Sequence, residues 1–200
     1  MKAKQLKILG LGLAVALIQA VPITAVAGEI HGQLGTSSSG NIRALALGDN
    51  ALSNISTSDA VGITAIGNGA LRNNTTGSTN TAIGENAMQM NVTSNVNIAV
   101  GYGALSRHTE GRDNIGIGSY TLNNNLGSDN VAIGENSMEL NRGGSRNIAI
   151  GSRALHGGNF SAPQQNGDDN VGLGDHALRK NRVSGSTAVG AQALKENTTG

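Results

Sequence analysis

The chain has 200 residues, a formal net charge of +1, no Cys or Trp, one Phe and two Tyr. Disulfides, thiol chemistry and Cys-type metal sites are excluded, and large aromatic side chains cannot anchor a core. A charge so near neutral, with no basic cluster among the repeats described below, gives no footprint for nucleic acid.

The chain opens with Lys2, Lys4 and Lys7, then an apolar run from Ile8 to Val21, then Ala25-Val26-Ala27. This order of basic, apolar and small-x-small segments predicts a secretory signal peptide over residues 1–27, cleaved after Ala27. No second apolar stretch occurs, so no membrane span is expected in the mature chain. Its expected place is outside the cell or on the bacterial cell surface. Residues 28–40, rich in Gly and Ser, read as a flexible lead-in.

From residue 41 to 200 the chain rewrites one phrase, as in Asn80-Thr81-Ala82-Ile83-Gly84 and Asn147-Ile148-Ala149-Ile150-Gly151. Its Gly falls at Gly48, Gly67, Gly84, Gly101, Gly118, Gly134, Gly151, Gly174 and Gly190, at spacings of 19, 17, 17, 17, 16, 17, 23 and 16. Self-similarity at a fixed short period is the mark of a solenoid. Before each Gly an aliphatic residue alternates with Ala or Gly, which predicts a short strand with the branched side chains on one face. The opposite Ala/Gly face is expected to meet other backbone closely, as at an interface between parallel coils. Three and four residues after the Gly comes a small residue, then Leu or Met, read as a second strand or as an inward knob. Asn recurs seven residues after the Gly, at Asn74, Asn91, Asn125, Asn141, Asn181 and Asn197, and marks a second corner. The predicted fold is an all-β repeat solenoid, a parallel β-roll of about nine coils of 16–17 residues. Nine coils at ~4.8 Å give a rod of roughly 43 Å.

The long spacing before Gly174 places an extruded loop at residues 156–169. His156, Asn159, Phe160, Gln164 and Gln165 are its candidate binding residues, because insertions in solenoids often form the binding face. The Asn column at Asn80, Asn97, Asn114, Asn130, Asn147 and Asn170 is expected to form an amide ladder at the strand start. Gly67, Gly84, Gly101, Gly118, Gly134, Gly151, Gly174 and Gly190 are its structural partners.

No residues present themselves as catalytic, cofactor-binding or metal-binding. The four His fall at different repeat positions, so they form no ligand row and read as solvated surface groups. Asp113, Asp129 and Asp169 could line a calcium row. Val96 and Arg146 interrupt it, and turn-forming Asx residues explain the pattern better. One hexapeptide-like unit per coil is too few for a β-helix acyltransferase, and the Thr64, Thr81 and Thr187 series is too broken for ice binding. The chain is therefore expected not to be an enzyme.

Asn-x-Ala-Ile-Gly repeated once per coil resembles the head repeats of trimeric autotransporter adhesins, the YadA-like heads, and related repeats of phage tail fibres and secreted bacterial surface proteins. The resemblance covers residues 41–200. It implies a left-handed roll, a side-by-side homotrimer, and adhesion to host matrix, cells or surfaces in a virulence setting. A structural fibre or spike segment with no ligand of its own is the alternative.

Overall fold

The computed structural model describes residues 32–35, 44–55, 61–157 and 167–199. The expected signal peptide lies outside these residues. Ten strands form one sheet in strict chain order: β1 (Gly32–Gly35), β2 (Ala44–Leu47), β3 (Ile63–Ile66), β4 (Thr81–Ile83), β5 (Ile98–Val100), β6 (Ile115–Ile117), β7 (Val131–Ile133), β8 (Ile148–Ile150), β9 (Val171–Leu173) and β10 (Thr187–Val189). Strands β2 to β10 are parallel and wind about eight turns, roughly 17 residues apart. This is the predicted β-solenoid. Within the stretch read as a flexible lead-in, β1 pairs antiparallel with β2 and covers that edge.

The register stacks like on like. Ile83 pairs Val100, Val100 pairs Ile117, Ile117 pairs Ile133 and Ile133 pairs Ile150. One face of the sheet therefore carries branched side chains, aliphatic apart from Thr64, Thr81 and Thr187, and the other carries Ala and Gly apart from Ile63 at the start of β3.

The two faces point the opposite way from the sequence expectation. The Ala/Gly face is not an interchain surface. Ala65, Ala82, Ala99, Ala132 and Ala149 are wholly buried inside the roll. The branched pair points outward, with Ile98, Ile117 and Ile148 each 40% exposed. The physical reason is the thickness of the coil. Each coil supplies one long aliphatic knob, Leu71, Met88, Leu105, Leu122, Met138, Leu155 or Leu178, and these are buried beneath the strands. That row fills the interior, so only a small side chain fits opposite it. At Gly116 even a Cβ would lie 2.6 Å from the Leu105 Cδ1 and 3.2 Å from the Thr121 Oγ1. Thr121 stands where other coils carry Ala or Ser, and the missing methyl at Gly116 offsets it.

The segment bearing the knobs is a run of turns rather than a second strand. In one coil the amides of Ala87, Gln89 and Asn91 donate to the carbonyls of Gly84, Asn86 and Met88, each three residues back. The third residue of the first two turns has positive φ, 57° at Asn86 and 49° at Met88. Asn is at ease there and Met is not. The left-handed conformation costs an ordinary residue about 1–2 kcal/mol. Burying a Leu or Met side chain returns about 1.5–3 kcal/mol, so the core holds the knob in a conformation its own backbone disfavours.

Between coils the turn run hydrogen-bonds in both directions. Asn86 N–H donates to Asn68 O of one neighbouring coil, and Met88 N–H to Ala104 O of the other. The Gly column closes the geometry. Gly101 has φ +132°, and a Cβ on it would lie 2.5 Å from Gly118 O. Both its conformation and its closeness to the next coil demand glycine.

Replacing Gly101 by Ala is expected to destabilise the stack by about 3 kcal/mol or more, from backbone strain plus the clash. Gly143→Ala, whose Cβ would meet nothing within 4 Å, is the control and should leave thermal unfolding nearly unchanged. Equal unfolding temperatures for the two variants would contradict this account of the Gly column.

Candidate functional site

Each Asn before a strand is buried and reaches the next coil. Asn97 N–H donates to Asn80 Oδ1 at 3.0 Å, Asn114 N–H to Asn97 Oδ1 at 3.0 Å, and Asn130 N–H to Asn114 Oδ1 at 3.1 Å. Asn147 and Asn170 extend the ladder at 3.0 and 2.9 Å, and Ser186 N–H ends it on Asn170 Oδ1 at 2.8 Å. The amide nitrogens face the polar corner, as where Asn114 Nδ2 donates to Gly127 O at 2.9 Å. A second buried column fills that corner. Asn74 Nδ2 donates to Gly77 O at 3.0 Å, Asn91 Nδ2 to Asn74 Oδ1 at 2.9 Å, and Asn125 Nδ2 to Gly127 O at 2.8 Å. Amides can donate and accept together, so two Asn columns satisfy a buried polar corner without any charge.

His108 occupies the corner-Asn position of its coil and is fully buried, which corrects its reading as a solvated surface group. Its Nδ1 lies 2.9 Å from Asn125 O and its Nε2 3.3 Å from Gly111 O. Burial pushes its pKa below the usual 6.5, against the opposing pull of these two carbonyls. The other described histidines sit higher on the surface. His176 Nδ1 is 2.8 Å from Asp175 Oδ2. His31 lies outside the described residues.

Of the loop candidates, Asn159, Phe160, Gln164 and Gln165 lie outside the described residues. His156 stands at the point of exit, half-buried, with Nδ1 against Gly157 O and Nε2 against Glu139 Oε2, both at 3.1 Å. At the point of return Arg146 grips Asp169 in bidentate fashion, through Nε at 2.7 Å and Nη2 at 3.0 Å, and reaches Asp168 Oδ2 at 3.1 Å. The other Asp168 oxygen accepts the Ser145 N–H at 2.9 Å. Arg146 holds the Asp169 carboxyl below its usual range, and the two carboxylates hold the guanidinium charged.

The Asp column has a conformational explanation. Asp113, Asp129 and Asp169 have φ of 57°, 60° and 60°, and Thr79, Val96 and Arg146 take the same conformation in their coils. The fold imposes a left-handed residue there, and Asp suits it better than Val does. Among the described residues no group of three or more His, Asp or Glu could hold a metal ion. The Thr series breaks after one step, where Thr81 pairs Ile98. No helix of the described residues is long and apolar enough to cross a membrane.

Two surface features escaped the sequence reading. One is the outward Ile/Val ladder. The other is the meeting of Tyr102 and Tyr120, 18 residues apart in the chain, with ring centroids 5.1 Å apart. The first would have been legible from the size limit on the core. The second needs the coil register, because the two residues stand one column apart relative to their own Gly.

Comparison with protein-family models, with curated proteins and with solved structures finds no match for the chain.

Asn114→Leu should cost about 1–3 kcal/mol, since it leaves Asn130 N–H buried without its side-chain partner, while Gly127 O keeps the Asn125 amide. Chemical denaturation measures it, and an unchanged midpoint would remove the ladder from the account of stability. His108→Asn restores the residue of the neighbouring coils. Because the folded pKa of His108 is depressed, its stabilising contribution is complete above 6.5 and is lost as pH falls through the folded value. The variant should therefore gain stability relative to the natural chain as pH falls below 6.5. Parallel pH profiles of the two chains would contradict this.

Proposed function

We propose that the chain is a secreted or cell-surface binding module without enzymatic activity, whose rods associate side by side as a homotrimer and attach to host matrix, cells or surfaces. One observation carries the reading, the outward aliphatic ladder. Leu45, Ile83, Ile98, Ile117, Ile133, Ile148 and Ile150 are all exposed on one face of one sheet. Parallel strands are usually covered on both faces, and here only the inner face is covered among the described residues. A continuous apolar strip of this kind favours burial against another surface, at about 25 cal/mol for each Å² removed from water.

A second copy of the same chain suits the strip. The ladder repeats once per coil, so an identical ladder offers knobs at the same intervals. The number three comes from the resemblance of the Asn-x-Ala-Ile-Gly repeats to trimeric adhesin heads. The expected signal peptide supports a place outside the cytoplasm, and the resemblance supports adhesion as the task.

Sedimentation equilibrium on the chain beginning at Gly28 tests the association. The expected result is a trimer in the natural chain, and a monomer in a variant carrying Ile117→Lys and Ile150→Lys together. A folded natural monomer would overturn the proposal. A trimer that binds no matrix or cell surface would favour the fibre-segment alternative over the adhesin.

A further inference from the structure

The only two tyrosines of the chain stand against each other on its surface. Their rings are T-shaped, at 82° and with centroids 5.1 Å apart. Both remain open to solvent, Tyr102 at 46% and Tyr120 at 39%. The Tyr120 ring lies over Gly103, where a Cβ would come within 3.0 Å of its Cδ1 and Cε1. Tyr120 also holds φ +54°, a backbone position filled by Asn50, Asn86 and Asn136, by Gly in two coils, and by Arg153, His176 and Gln192 in the others. Aromatic residues are not at ease there. Folding needs alone do not select Tyr at this place.

The columns that carry the rings hold carboxylates and no cation in the two coils of the pair and in one coil on either side. The residues one, two and five after Gly84, Gly101, Gly118 and Gly134 include Glu85, Glu135 and Glu139, and no Lys, Arg or His. The negative field reaches the rings. The Tyr120 hydroxyl is pushed above its usual pKa first by its hydrogen bond with Tyr102 and by desolvation, and further by the charges of Glu139 and Glu85. Two exposed π-faces in a negative field form the setting in which a cation gains from ring and carboxylate together.

We infer that the Tyr102–Tyr120 pair, with Glu85 and Glu139 beside it, is a binding site for an arginine or lysine side chain of a basic partner polypeptide. Arginine fits best, because a guanidinium can stack on one ring while its N–H groups reach a carboxylate. The site lies beyond the Gly turn from the aliphatic ladder and does not depend on the association proposed above.

The chain carries its own reporter. With no Trp and no other Tyr, its intrinsic fluorescence arises wholly at this site. Titration with a hexa-arginine peptide at physiological ionic strength should give a saturable change. Tyr102→Ser and Tyr120→Asn install residues that neighbouring coils already carry at these positions, Ser119 and Asn136, so both variants should fold. Each should weaken binding roughly 3- to 20-fold, and Tyr120→Asn should raise the unfolding temperature while it does so. Glu85→Gln with Glu139→Gln should weaken binding and flatten its salt dependence. No saturable change, or equal affinity in the tyrosine variants, would overturn the site. Saturation by tetramethylammonium with none by the peptide would overturn the assignment to a polypeptide partner.

Discussion

The constraint on which the stack depends is backbone against backbone at the Gly column. The carbonyl of one Gly sits where a Cβ of the preceding Gly would be, as Gly118 O does for Gly101. From that approach follows the stacking of coils at strand spacing, and from the stacking follow the parallel sheet and the inter-coil bonds of the turn run. No coil can bury its Leu or Met alone. Stability is therefore shared between neighbours, as in other solenoids.

The interior is thin, and its chemistry divides along its width. On one side a row of Leu and Met is wedged under a row of Ala and Gly. On the other, two columns of Asn close the corner by amide bonds that pass from coil to coil. Neither side uses charge. Among the described residues His108 is the single titratable side chain in the buried polar set, and it takes an Asn position. The ion pairs stand at the surface, where Arg146 ties down the return of the inserted loop and Lys180 meets Glu196 at 2.7 Å. Pairs so exposed add little to stability and serve to place the chain.

Because the interior is self-sufficient, the outer faces are free to differ from coil to coil. The Ile/Val ladder is maintained along the rod, as the proposed association surface requires. The positions after the Gly instead vary among Glu, Tyr, Ser, Asp and Ala. A rod of this kind presents one largely aliphatic face and other faces on which local patches, such as the tyrosine pair, are set without cost to the core.

The sequence by itself determined the class of fold, the coil length, the strand positions and the Asn and Gly columns, because each of these repeats and repetition is visible without coordinates. It did not determine which face of the strand points inward. Alternation places Ile98 and Ala99 on opposite sides, but branched residues lie inside most strands, and only the volume taken by Leu105 and its neighbours reverses that here. Nor did it reveal Leu and Met in left-handed turns, since that conformation opposes their intrinsic preference and is held by burial alone. His108 looked unlike its column because its residue type hid its position, and Tyr102 met Tyr120 only once the register was known. What repeated along the chain was legible in the sequence; what depended on the space left between coils was decided by the tertiary structure.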